Sequence, residues 1–305
     1  VHHITMGSFR IPSWMGFLGL PFIFGPVGGG EEAAPSLVKN LPLKFRIKEL
    51  VRSLANKLAV WNPLMFLTFR SSSLIYCKTQ ETARLIPHIF QHKVRVFMEI
   101  GIHEDDLMLV EPIVERNTET LNILFVGRLI YWKGAHLVLK SVASLADQGY
   151  KVRLTIVGEG AESSWIKDLA RRLGIYEQTD WISSIAQNEL FRLYSSYDLM
   201  LFPSLHDSSG NVVLESLAHG LPVLCLDLGG PKELVDESCG AVIPTKGRDE
   251  EACVRAISEK IEHWIKHPEE LAAKKSGCIP IAAQRSWASV SQQNLQIIEE
   301  HLAIA

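Results

Sequence analysis

The sequence predicts an α/β protein with a parallel, Rossmann-like sheet. Short apolar runs alternate with helical patterns from residue 121 to residue 240, as in a parallel sheet with crossover helices. Each run ends in glycine or small polar residues, where open sheets of this class hold ligands. The 305 residues exceed what one hydrophobic core usually serves, ~250–300, so two domains are expected.

Composition narrows the class. The chain is 47% hydrophobic and 21% charged, enough for a large core and too apolar for wholesale disorder. A formal charge of −3, without a basic stripe interleaved with aromatics, argues against a nucleic-acid partner. The five cysteines form no Cys-x-x-Cys pair, which fits reduced thiols and a cytoplasmic setting. Uninterrupted apolar runs all fall short of the ~20 residues of a membrane span. His88 and His92 lie four apart with no third ligand nearby, so no metal or other cofactor is expected.

A first domain, residues 1–117, is expected to be a partial one. The chain opens on Val1-His-His-Ile, which reads as the end of a strand and not as a natural beginning, so an N-terminal truncation is expected. Phe22 to Phe24 reads as a strand that enters Gly25-Pro-Val-Gly-Gly-Gly-Glu-Glu32. Gly28, Gly29 and Gly30 let a backbone approach a ligand closely; a plain glycine turn explains them as well. No Gly-Lys-Ser/Thr follows, which excludes a Walker-type loop.

From 43 to 58 the residues Ile47, Leu50, Val51, Leu54 and Leu58 recur at helical spacing, with Lys44, Arg46, Lys48, Arg52 and Lys57 against a single acid, Glu49. Two readings stand. Residues 44–58 lie on an anionic membrane surface, making the protein peripheral at the inner face, or the helix packs its apolar face on the core and solvates its cations. A strand over 73–77, a helix over 79–89 and a strand over 94–100 follow, then a polar linker over 107–120.

The second domain, 118–282, opens with a strand over 121–126 that enters Gly127-Arg-Leu-Ile-Tyr-Trp-Lys-Gly134. Arg128 and Lys133 flank this turn; together they can clamp a diphosphate, or serve as solvated surface cations. A helix over 136–147 and a strand over 152–157 ending at Gly158 come next. After them a helix is expected over 163–173, a strand over 179–182 ending at Ser183, and a helix over 189–195. The apolar run 199–202 stops at Pro203, small polar residues lead to Gly210, and a short helix with Val212, Val213, Leu217 and Ala218 precedes a strand over 222–226 and Gly229-Gly230.

The start of that short helix carries unpaired N–H groups and partial positive charge, so a phosphate is favoured at Ser209 to Val213. Asp207 lies in the loop above it and Glu215 about one turn inside, where both carboxylates can reach hydroxyls of one ligand. Asp207 as a plain cap with Glu215 solvated is the alternative. Residues 283–305, with Val290, Leu295, Ile297 and Ile298 after Trp287, form the last expected segment.

The ordered motifs Phe-Val-Gly-Arg128, Lys133-Gly134, Ile-Val-Gly-Glu-Gly160, Asp207 through Glu215, Ala-His-Gly-Leu-Pro-Val223 and Gly229-Gly-Pro-Lys-Glu233 resemble the donor domain of the group 1 (family 4) retaining glycosyltransferases of the GT-B fold. The resemblance is strong over 121–240 and weak elsewhere. It implies a cleft between two Rossmann-like domains, the second binding a nucleotide-diphosphate sugar without a metal, and residues 283–305 as a helix that crosses back to the first. It implies that Arg128, Lys133 and Asp207 are catalytic and that Gly158, Ser183, Ser209, Gly210, Asn211, Val212, Val213 and Glu215 bind the donor. Gly28, Gly29 and Gly30 would complete the donor cleft, and Glu31 is a candidate acceptor contact. Asp207 stands where the family usually has Glu, which puts sugar identity and turnover in question. The function implied is transfer of a sugar, with retention, to a glycan or lipid-linked acceptor. Two alternatives are a nucleotide-sugar-binding protein without catalysis and a GT-B sugar-nucleotide epimerase.

Overall fold

The computed structural model describes residues 1–4, 7–107 and 120–304; side chains beyond residue 301 are not described. The expected linker and the 117/118 boundary fall almost wholly outside these residues. Two all-parallel sheets organise the molecule.

The first has four strands in sequence order: β1 (His2–His3), β2 (Ile23–Val27), β3 (Leu74–Cys77) and β4 (Val94–Val96). Its helices are α1 (Pro35–Val38), α2 (Leu43–Trp61), α3 (Pro63–Ser71), α4 (Gln80–Leu85) and α5 (Glu104–Leu107). Two expectations are corrected here. The helix over 79–89 stops at Leu85, because Pro87 disfavours helical backbone at Ile86, whose ψ is 132°, and a 3-10 segment His88–Lys93 follows. The strand over 94–100 pairs with β3 through Val96 only, and the buried Phe97, Met98 and Ile100 continue as irregular chain.

The second sheet has the order β10-β9-β8-β5-β6-β7, from β5 (Leu121–Val126), β6 (Val152–Val157), β7 (Thr179–Ile182), β8 (Leu199–Phe202), β9 (Val223–Leu226) and β10 (Gly240–Ile243). The crossover helices are α6 (Ala135–Asp147), α7 (Ser163–Arg172), α8 (Gln187–Tyr194) and α9 (Asn211–Ala218), followed by α10 (Glu250–Lys266), α11 (Pro268–Ala283) and α12 (Trp287–Ile304). Strand order reverses between β5 and β8, so the loops after these two strands flank the crevice where such sheets bind ligands.

The main core fills this sheet, and Ala33, Leu37, Leu41 and Phe45 from the first region also enter it. In return, Val290 of α12 is buried with Ile23, Leu74, Tyr76 and Phe97 of the first region. The chain passes between the two where Ile102 and Trp287 exchange backbone hydrogen bonds with the 285–287 and 102 segments. Among the described residues no helix is long and apolar enough to cross a membrane.

Candidate functional site

The carboxyl ends of β5 and β8 bring two of the predicted residues into contact. Lys133 closes a 3-10 turn, Tyr131–Lys133, after β5, and its ammonium pairs with the Asp207 carboxylate from the loop after β8. Lys133 also stands 5.3 Å over the Phe202 ring. The other oxygen of Asp207, Oδ1, accepts the backbone amides of Ser209 and Gly210 at 3.2 Å each. Asp207 therefore caps the loop and pairs with the cation at once.

Helix α9 is preceded by its N-cap Gly210, which is left-handed at φ 80°. The amide of Val213 is taken by the Gly210 carbonyl at 2.9 Å, and those of Ser209 and Gly210 by Asp207. That leaves the amides of Asn211 and Val212 as the helix-start donors without a protein acceptor among the described residues. Gly229 shapes this loop from below. Its φ is +64°, and a Cβ there would fall 2.2 Å from the Asp207 carbonyl oxygen, so a side chain at 229 would displace the loop.

The remaining predicted residues spread along the same sheet edge. Arg128 is exposed one residue past Gly127 at the end of β5. Gly158 follows β6, one strand away, and a Cβ on it would lie 2.2 Å from the Gly127 carbonyl oxygen. Ser183, exposed, follows β7, two strands away, roughly 10 Å at ~4.8 Å per strand. Glu215 lies inside α9 and accepts a hydrogen bond from the Tyr194 hydroxyl at 3.2 Å. Burial raises its carboxyl above the usual range, against the opposing pull of Tyr194 and Gln187.

The triple-glycine loop meets this site from the other sheet. Gly28 comes so close to Ser208 that a Cβ would sit 2.7 Å from its Oγ. Glu31 is 2% exposed, and its carboxylate accepts from the Thr79 hydroxyl at 2.7 Å, the Thr82 hydroxyl at 2.9 Å, the Gly29 amide at 2.9 Å and the Ser208 hydroxyl at 3.0 Å. Glu31 thus ties the glycine loop to the loop after β8, with its oxygens engaged by the protein. The Gly30 amide donates to Thr82 Oγ1 at 3.1 Å, and the Gly29 carbonyl accepts from Arg52 at 3.2 Å. An ion pair between Lys232 and Glu81 makes a further bridge.

One part of the cleft was missed in the sequence. Glu49 of α2 is buried and its Oε1 accepts from the Tyr131 hydroxyl at 2.7 Å and lies 2.9 Å from His206 Nε2. His206 stacks on Trp132 at 5.4 Å, and Tyr131 stacks on Phe45 at 4.7 Å. Burial works to raise the Glu49 carboxyl, yet the hydrogen bonds and charge from His206 and Tyr131 prevail and hold it below the usual range. Burial, then Glu49, push the Tyr131 hydroxyl up. This cluster anchors the first region to the loops after β5 and β8, one residue from Asp207 and two from Lys133. The available signal was the lone acid in a basic helix. Among the described residues no group of His, Cys, Asp and Glu is placed to hold a metal ion.

The sequence profile of the group 1 glycosyl transferases matches residues 111–276. An uncharacterised glycosyltransferase of Methanocaldococcus jannaschii is 27% identical over 153 residues, 50% of this chain and 35% of that protein. The D-inositol 3-phosphate glycosyltransferase of Corynebacterium aurimucosum is 26% identical over 249 residues, 76% of this chain and 57% of that one. The chain thus spans roughly a third to just over half of these relatives' length. Anabaena HepE, solved with UDP and glucose, superposes with a TM-score of 0.61 at 19% identity, over 92% of this chain and 71% of that chain. That likeness, of the two facing parallel sheets, is to the GT-B fold.

Proposed function

The chain belongs to the group 1 glycosyl transferases, and from that premise we propose that it carries the donor site of an enzyme that moves a sugar from a nucleotide-diphosphate sugar to an acceptor. The observation that carries this is the Lys133–Asp207 pair across the β5/β8 switch point, set at the start of α9, with Arg128 exposed in the same loop after β5. A diphosphate in the crevice meets the Lys133 ammonium, the Arg128 guanidinium and the unengaged amides of Asn211 and Val212. Breaking the sugar–phosphate bond builds negative charge on the β-phosphate. Fixed donors aimed there stabilise the transition state more than the ground state, by ~3 kcal/mol for one well-placed donor.

Glu215 is assigned to the ribose hydroxyls and the loop at Ser183 to the base. Asp207, held by Lys133 and two amides, is assigned to the transferred sugar, and when the diphosphate enters Lys133 exchanges that carboxylate for a phosphate oxygen. Retention follows if the acceptor attacks on the face the diphosphate leaves, a phosphate oxygen taking its proton. The acceptor is proposed to be a glycan or a lipid-linked glycan, bound on the side of the triple-glycine loop. We assign residues 1–117 to the acceptor side, 118–282 to the donor side and 283–305 to the return helix.

Calorimetric titration of UDP, GDP and ADP and their sugars identifies the donor. The Arg128→Ala/Lys133→Ala double variant is expected to bind the preferred nucleotide at least ~100-fold more weakly, from two lost contacts. An unchanged affinity removes the site assignment. Nucleotide binding without release of sugar or nucleotide, with acceptor present, supports the non-catalytic alternative instead.

A further inference from the structure

Helix α2 is amphipathic in reverse. At about 100° per residue, Leu43, Ile47, Leu50, Leu54, Leu58 and Trp61 fall on one stripe, and Phe45, Glu49, Arg52 and Asn56 on the opposite one. The structure buries the second and turns the first to solvent: Leu50 is 70% exposed and Trp61 85%. The inward side chains are committed to the cleft. Glu49 holds Tyr131 and His206, Arg52 holds the Gly29 and Glu31 carbonyls, and Asn56 bridges Arg10 and Glu32. The helix cannot rotate its apolar stripe inward without breaking all of these. The reading in which α2 packs its apolar face on the core is therefore corrected.

The rim of this stripe is cationic. Arg46 and Lys57 flank one border and Lys44 the other, all exposed, with Lys39 and Arg70 exposed on the neighbouring helices. From 33 to 80 the sole acidic residue is Glu49, and it is buried. Helix α3 packs against α2 and exposes Phe66 and Leu67, and the turn at Met15–Phe17 packs on α3 with Trp14 and Phe17 exposed. Such a band of leucine and tryptophan, edged by lysine and arginine, with the exposed Glu32 held by Ser53 and Asn56 of α2, matches a bilayer interface: chains for the apolar side chains, anionic head groups for the cations.

We propose that α2, with the α3 and Trp14 surface beside it, docks on an anionic lipid membrane with its Leu50–Leu54 stripe inserted and Lys44, Arg46 and Lys57 among the head groups. The proposal goes beyond sugar transfer and does not depend on it.

The test is co-sedimentation of the whole chain with vesicles of phosphatidylglycerol and phosphatidylcholine in equal parts and with pure phosphatidylcholine. Binding is expected to the first and at least tenfold weaker to the second. Leu50→Glu/Leu54→Glu is expected to abolish it, and Arg46→Gln/Lys57→Gln to weaken it roughly tenfold or more, both with unchanged thermal melting because all four side chains are exposed. Should the double glutamate variant melt early, the charge variant carries the test alone. Equal binding to both vesicles, binding insensitive to the charge variant, or no binding overturns the proposal. So does a dimer in sedimentation velocity that Leu54→Glu dissociates, since a second copy of this chain would then cover the stripe.

Discussion

Helices α6 and α2 are both amphipathic, and the fold treats their apolar faces in opposite ways. In α6, Leu137, Val138, Leu139, Val142 and Leu145 are all buried in the main core, where α6 packs on α10 and on the second sheet. In α2 the equivalent stripe faces out. The contrast extends to the regions around them: among the described residues, every exposed large apolar side chain except Trp287 and Leu295 lies before residue 97. What differs is the other face. The polar side of α6 has few tasks, whereas that of α2 supplies the carboxylate, guanidinium and amide that brace the cleft. Periodicity identifies a face; partners decide which side turns inward.

The largest effect that tests this contrast is a pair of truncations. Leu139→Ala in α6 is expected to cost ~2–5 kcal/mol in urea unfolding, as a cavity in a close-packed core, and Leu54→Ala in α2 no more than ~0.5 kcal/mol. Equal costs would mean that the α2 stripe is packed in the folded protein. A second difference is in acid. His136 on α6 is fully buried, and burial, then Lys140, lower its pKa to about 3. The unfolded chain takes this proton near pH 6.5 and the folded one refuses it down to about pH 3. Stability is therefore lost through that window as pH falls, at up to ~1.4 kcal/mol for each pH unit. His136→Leu should flatten this part of the profile relative to wild type; parallel profiles would contradict it.

Smaller effects are expected at α2 itself. Glu49→Ala leaves the Tyr131 hydroxyl and His206 without their acceptor and is expected to cost ~1–3 kcal/mol and to weaken nucleotide binding through the donor loops. Since the Glu49 carboxyl is held below its usual range, its contribution is present above the ordinary glutamate pKa and disappears as pH falls through the lowered value. A variant whose stability and nucleotide affinity match wild type would show that the cluster braces nothing. Smallest of all is Lys57→Ala, expected to leave unfolding within ~0.5 kcal/mol of wild type.

Legibility in the sequence follows the same division. Around the second sheet, the strands expected over 121–126, 152–157, 179–182 and 199–202 coincide with β5 to β8: β5, β6 and β8 are largely apolar runs closed by glycine or proline, and β7, Thr-Asp-Trp-Ile, is legible from its place in the strand–helix alternation. The Lys133–Asp207 contact was within reach, since both residues were placed at carboxyl ends of strands in one parallel sheet. The cleft-bracing cluster was not. Glu49 meets partners 82 and 157 positions away, and no local pattern encodes such a meeting. Glu31 was legible as a cleft residue, but its engagement by Thr79, Thr82 and Ser208 depends on the two sheets facing each other. The outward turn of α2 was hidden for the same reason, because the sequence shows the stripe and leaves its partners unseen.

The central claim, that the donor lies across the β5/β8 switch point, is tested most directly by hydrogen–deuterium exchange with and without a saturating nucleotide. The account predicts slowed exchange at 127–134 and 207–215, and loss of that protection in Lys133→Ala. Protection elsewhere in the chain, with these two loops unchanged, would contradict it.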